Sequence, residues 1–200
     1  MTVDPDAFFA TPTLTGAHVR LETLTPEHAS GLFAAADDDE VFAWQAFHRP
    51  RTLADAEALV AFFLERPDLH PWVQVDLASG EVAGLTTYYE VDPTLRTVAI
   101  GWTWIGRRFW RTSLNTEAKL LLLRRAFDDL GCVRVVWHVD HLNERSQAAV
   151  TRIGGVREGV ARKHKPRRDG SWRDTVTFSM LDDEWPAARA ALEAKLASHA

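Results

Sequence analysis

Residues 107–116, Arg-Arg-Phe-Trp-Arg-Thr-Ser-Leu-Asn-Thr, hold the stretch most suited to chemistry. Arg107, Arg108 and Arg111 supply three guanidiniums, and Thr112 and Ser113 stand just ahead of a helix that begins near Asn115. A helix start offers unpaired backbone N–H groups and the positive end of its dipole, and arginine matches phosphate oxygens with paired donors. The segment reads as a phosphate-binding loop, or else as a solvated basic loop with no ligand. The single cysteine, Cys132, opens an apolar strand, where a buried inert thiol is far commoner than a nucleophile.

The loop needs a frame. Residues 97–105 form a short apolar run, and a strongly periodic helix follows the loop to about Leu130. Residues 133–140 form a second apolar run. Together they predict two parallel strands joined by a right-handed helical crossover.

Before this unit, residues 1–12 read as an arm broken by Pro5 and Pro12. Residues 13–23 read as one strand, with Val19 and Leu21 on one face. Thr25-Pro26 starts a helix whose Leu32, Phe33 and Ala36 form a buried stripe. Residues 37–40 are four acids: either the entry for a cationic substrate or, as charge runs usually are, a solvated helix end. Residues 41–50 make an aromatic connector, and residues 52–66 a helix capped by Thr52. A hairpin over 72–89 turns at Ala78-Ser79-Gly80. After the central unit come a short helix ended by Gly154-Gly155 and two strands, 156–165 and 172–180, joined at Asp169-Gly170. A closing helix over 182–200 is capped by Asp182 or Asp183.

Two hundred residues suggest a single domain, 1–200, and a net charge of -5 does not favour nucleic acid. One cysteine excludes an internal disulfide framework and a cysteine-based zinc site. No stretch has the length of a membrane span, and the first residues carry no basic signal-peptide region, so a cytoplasmic protein is expected. The eight tryptophans predict a large aromatic core or an aromatic-lined pocket.

In order and spacing these segments resemble the GCN5-related N-acetyltransferases (GNAT), specifically the RimJ/RimL type of ribosomal-protein alanine acetyltransferase. The resemblance runs from about residue 13 to 185. Its most specific element is Asn143-x-x-Ser146 followed by Ile153-Gly154-Gly155 and Glu158-Gly159. It implies an α+β fold: a mixed, mostly antiparallel sheet of six to seven strands, helices on both faces, and two splayed parallel central strands. The family's pyrophosphate loop has Gln or Arg, two residues, Gly, one residue, then Gly or Ala. This chain has Trp110, Ser113 and Asn115 there, and no glycine between Arg107 and Leu130.

The resemblance also implies a reaction. Acetyl-CoA, with no metal, would donate to a primary amine on a small molecule or a protein N-terminus. The amine attacks directly, so no protein nucleophile is needed. The cofactor-binding residues would be Trp102, Thr103 and Trp104 on the first splayed strand, then Arg107, Arg108, Arg111, Thr112, Ser113, Leu114, Asn115 and Thr116, with Asn143 and Ser146 across the gap. Ser146 would serve the leaving thiolate and Asn143 the pantetheine or acceptor, although both also suit helix capping. Where the family often has a carboxylate in the central strand, this chain has Ala99. The base candidates are Glu90, His138, His141 and His164, with His138 and His164 foremost and a water relay also serving. A homodimer follows the family's habit. A CoA-binding protein of the same fold without turnover is the alternative function, and a fold-only association module a third.

Overall fold

β-branched and aromatic residues dominate 97–105, and the chain there runs extended through the middle of one sheet as the sequence predicts. The computed structural model describes residues 4–198. Its strands are β1 (Leu14–Thr15), β2 (Val19–Thr23), β3 (Leu69–Asp76), β4 (Val82–Asp92), β5 (Thr97–Ile105), β6 (Arg134–Asp140), β7 (Val156–Pro166) and β8 (Trp172–Leu181). Its helices are α1 (Ala29–Ala35), α2 (Leu53–Leu64), α3 (Leu114–Arg124), α4 (Glu144–Arg152) and α5 (Trp185–Ala197). The sheet order is β1-β2-β3-β4-β5-β6-β8-β7. Only β5 and β6 pair in parallel; the other neighbours are antiparallel.

Alternation along the strands sends side chains to two cores. On one face Trp72, Tyr88, Ile100, Val135 and Phe178 pack with Leu122 and Ala118 of α3 and with Trp185 and Leu192 of α5. On the other, Val73, Leu85 and Trp104 pack with Leu32 of α1 and Val60 and Phe63 of α2. Helix α2 starts where its sequence says. Thr52 Oγ1 accepts from the Asp55 N–H at 3.1 Å, and the Asp55 carboxylate accepts from the Thr52 N–H at 2.9 Å. Such a reciprocal cap is worth about 1 kcal/mol.

The structure corrects the sequence reading in four places. The sheet has eight strands among the described residues, not six to seven, because 13–23 doubles back at Gly16 and Leu14 pairs with Leu21. The backbone N–H groups of Ala17, His18 and Val19 all donate to the Glu117 carboxylate of α3, at 2.8, 2.6 and 2.8 Å. A Cβ on Gly16 would lie 2.3 Å from Glu117 Cδ, so a larger residue there would push the carboxylate off its three donors. The arm, read as broken by Pro5 and Pro12, holds a short helical turn that Pro5 opens, and it is docked. Residues Pro5–Phe8 form a 3-10 turn that buries Phe8, and the Arg125 guanidinium donates to Ala7 O and Ala10 O. Phe33 is exposed, because the stripe of α1 is carried by Leu32, Ala35 and Ala36. The closing helix starts at Trp185, with Pro186 in its first turn, rather than at 182. Residues 199–200 of its expected span lie outside those described.

Candidate active site

Strands β5 and β6 pair only at Thr97–Arg134, Val98–Val135 and Ala99–Val136. Past that point β6 stays on β8, from Trp137–Phe178 to Asp140–Thr175. Meanwhile β5 stays on β4, through Gly101–Thr87 and Trp104–Leu85. The two strands part, and from Ile100 onward the edge of β5 turned toward β6 has no strand partner. Backbone N–H and C=O groups there are left for something other than the sheet.

The parted stretch contains a bulge. Between the Leu85–Trp104 and Thr87–Gly101 pairs, Thr86 alone opposes Trp102 and Thr103. Trp102 has φ 52, a left-handed conformation that costs a bulky residue about 1–3 kcal/mol. Its ring lies parallel to Phe47, with centroids 6.3 Å apart, and meets Phe63 edge-on. Trp104 packs in the same core against Phe42. Thr103 is held at both ends: its C=O accepts from Gln45 Nε2 at 2.9 Å, and its hydroxyl accepts from Lys119 Nζ at 2.8 Å.

The basic loop follows β5. Its arginines do not all face the same way. The Arg107 guanidinium pairs with Asp38 and Glu40, while Asp37 accepts the backbone N–H of Arg107 at 2.7 Å and of Arg108 at 3.3 Å. Glu40 also takes Arg145 of α4, whose guanidinium lies 3.9 Å over the Trp110 ring. Arg108 donates to Ala34 O and pairs with Glu81. The acids of 37–40 are mostly exposed, as a solvated run would be, but each has a basic partner or a backbone N–H to receive. Asp37, Asp38 and Glu40 serve the loop, while Asp39 pairs with Arg49 and Arg51. Arg111 is different: it is exposed, has φ 62, and has no hydrogen bond or ion pair among the described residues. Ser113, which stands where the family has its first glycine, is right-handed, with φ -67 and ψ -18.

Helix α3 then begins with its donors open. Ser113 makes no side-chain cap, and Thr112 Oγ1 instead donates to Phe109 O while accepting weakly from the Leu114 N–H. The N–H groups of Asn115 and Thr116 meet no acceptor among the described residues. Asn115 Oδ1 is buried without a partner. Leu114 is buried and anchors the turn in the core. Open N–H groups and a guanidinium with no partner among the described residues together fit the pyrophosphate of a CoA ligand.

Across the gap, β6 leads into α4. Asn143 caps that helix: its Oδ1 accepts from the Ser146 N–H at 3.0 Å. Ser146 Oγ has no partner among the described residues and is free to donate. His138 lies on β6 just past the point of parting. Its Nδ1 stands 3.1 Å from Tyr89 Oη and 3.6 Å from the Glu90 carboxylate. Burial pushes the imidazole below its ordinary 6.5, Glu90 opposing this and Lys165, His164 and Arg173 adding to it. The neighbouring carboxylate favours the proton on Nδ1 and leaves the Nε2 lone pair open. His164 is exposed and makes no hydrogen bond among the described residues, and His141 leans on Asp140 and Asp174 O. Cys132 is buried, and burial pushes its thiol up to about 12, so it is inert as expected.

Two site residues escape the sequence reading. Tyr89 reaches His138 because Gly101 on β5 leaves it room; a Cβ there would lie 2.7 Å from Tyr89 Cε1. A glycine inside an apolar strand was the available signal. Lys119 is buried, and its place directly ahead of the leucine run 120–123 was the signal for it.

Residues 18–156 match the model of the acetyltransferase (GNAT) domain. The crystal structure of a GCN5-related N-acetyltransferase from Brucella melitensis is 34% identical, covers 94% of this chain and 86% of that one, and superposes with a TM-score of 0.90. YdaF of Bacillus subtilis (strain 168), provisionally named a ribosomal N-acetyltransferase, is 33% identical over 109 residues, and the match spans 54% of this chain and 58% of that protein. An Aspergillus fumigatus protein named FsC-acetyl coenzyme A-N(2)-transacetylase is 26% identical over 187 residues, 88% of this chain and 79% of its own. A sheet that opens after three parallel pairs, a helix that starts with free donors and a family model covering most of the chain agree: it belongs to the GNAT acetyltransferases.

Proposed function

We propose that this acetyltransferase uses acetyl-CoA to acetylate a primary amine by direct attack, and that the amine is carried by a protein N-terminus or a small molecule. The observation that carries the reading is the parting of β5 from β6 after Ala99 and Val136 beside the open start of α3. The name of the Aspergillus relative specifies acetyl coenzyme A as donor, and that of the Bacillus relative a ribosomal acceptor.

The donor supplies an acetyl group on a thioester. Arg111, Thr112, Ser113, Asn115 and Thr116 would hold its pyrophosphate, and the unpaired edge of β5 at Trp102–Trp104 would receive the pantetheine arm and the carbonyl oxygen. His138 takes at Nε2 the proton that the amine nitrogen loses as its new C–N bond forms, with Tyr89 and Glu90 holding the ring. Ser146 Oγ donates toward the sulfur as the C–S bond breaks, and Asn143 sets that hydroxyl by capping α4. Trp102, Phe47 and Phe62 would wall the acceptor side.

Incubating the chain with acetyl-CoA, a panel of amines and ribosomal-protein N-terminal peptides, and a thiol reagent tests this. Amine-dependent CoA release is expected. Tight CoA binding with no release for any amine would leave a binding protein, and no thermal shift with CoA would remove the site altogether.

A further inference from the structure

We propose that Lys119 is a positioning residue for acetyl transfer: its Nζ, clamped by Thr86 and Thr103, holds the β5 bulge in the shape that presents the strand's free edge to the cleft. This rests on the acetyltransferase reading above. Lys119 is 8% exposed on the face of α3 that meets the sheet. Nζ donates to Thr103 Oγ1 at 2.8 Å and Thr86 Oγ1 at 3.1 Å, and the two hydroxyls are 2.8 Å apart. Thr86 is the residue that opposes both bulged positions, and Thr103 is one of them. The amine therefore grips both sides of the irregularity.

Nothing neutralises that amine. No carboxylate lies within ion-pair range of it among the described residues, and burial alone pushes it down to about 7. The groups that meet it from β4 and β5 are the two threonine hydroxyls, and the nearest acid on its own helix, Glu117, is spent on the turn at Gly16. An apolar side chain of the same length would fill the site without the cost of burying a charge. A lysine there is explained by what it holds. On the other face of the sheet Trp102 lies flat against Phe47, so the bulge is gripped from both sides, by hydrogen bonds below and by a stack above. Remove the lower grip and Trp102 can leave φ 52 for the ordinary extended region, which turns the peptide groups that line the cleft.

The test compares the full chain with Lys119→Met and Thr103→Val, singly and together, by near-UV and far-UV circular dichroism, kcat, amine KM and CoA Kd. Lys119→Met should change the near-UV signal of the Trp102 stack, leave the far-UV spectrum intact and lower kcat roughly tenfold or more, with CoA Kd weakened by a smaller factor than kcat is lowered. Thr103→Val should do the same, and the pair should be no worse than either alone. A Lys119→Met chain with the near-UV spectrum and kcat of the parent overturns the proposal. So does a Thr103→Val chain with both unchanged, should Lys119→Met fail to fold. If the parent acetylates no amine, the activity reading fails while the near-UV comparison still decides whether the clamp exists.

Discussion

Tyr89 Oη and His138 Nδ1 stand 3.1 Å apart although their strands, β4 and β6, are not neighbours. The link passes over Gly101 of β5, where the sheet has begun to open. It ties the candidate base to β4 across the gap between the parted strands.

His138→Gln should lower kcat about a hundredfold and leave CoA affinity unchanged. Because burial holds the imidazole below 6.5, it is neutral at pH 7, so kcat/KM should rise with pH and level off below neutrality. The Gln variant should lose that rise. A parent profile that levels off well above pH 7 would assign the base elsewhere.

Ser146→Ala and Asn143→Ala should separate cleanly. The serine hydroxyl has no structural partner, so its loss should reduce kcat with little change in Tm. Asn143 holds the first turn of α4, so its loss should cost about 1 kcal/mol of stability along with some activity. Equal Tm losses in the two variants would return Ser146 to a structural role.

Arg111→Ala should weaken CoA about tenfold, since that guanidinium has no other partner among the described residues. Arg107→Ala should cost less, because Arg107 is already matched by Asp38 and Glu40. Glu40→Gln should tighten CoA by freeing Arg107 and Arg145 together. Titration at two salt concentrations reads all three; a Glu40→Gln chain that binds more weakly would mean the bridge organises the site instead of competing for it.

Lys119 should also be visible in stability. Below pH about 7 the ammonium is present in folded and unfolded chains alike; between 7 and 10.5 only the unfolded chain keeps it, so stability rises with pH across that interval. Relative to Lys119→Met the parent should gain up to about 1.4 kcal/mol per pH unit. The window to use is roughly pH 7 to 8.5, before Cys132 and the buried Tyr88 and Tyr89, which hold their protons in the fold, pull the other way. Parallel denaturation curves for parent and variant would refute it.

The frame was legible because its signals are local. Periodicity gave β5, α3 and β6, Thr52 and Asp55 gave the start of α2, and Asp169-Gly170 gave the last hairpin, where Gly170 has φ 82. The resemblance supplied the parting of the central strands, which no residue pattern announces. What stayed hidden depends on partners far apart in the chain. Asp37, Asp38 and Glu40 find the loop some seventy positions on, as with the Asp37 carboxylate and the Arg107 N–H. Tyr89 finds His138 only once β5 lies between them. The break at Gly16 was missed because residues 13–23 alternate well enough for one strand, and the group that bends them is on α3.

That last contact bears on how the chain is made. Ala17, His18 and Val19 leave the ribosome about a hundred residues ahead of Glu117, the carboxylate that receives their N–H groups. At about 5–20 residues per second, the first turn waits some 5–20 seconds in water for its acceptor. The amino-terminal hairpin is thus sealed late, by a residue in the first turn of the helix that opens the candidate site.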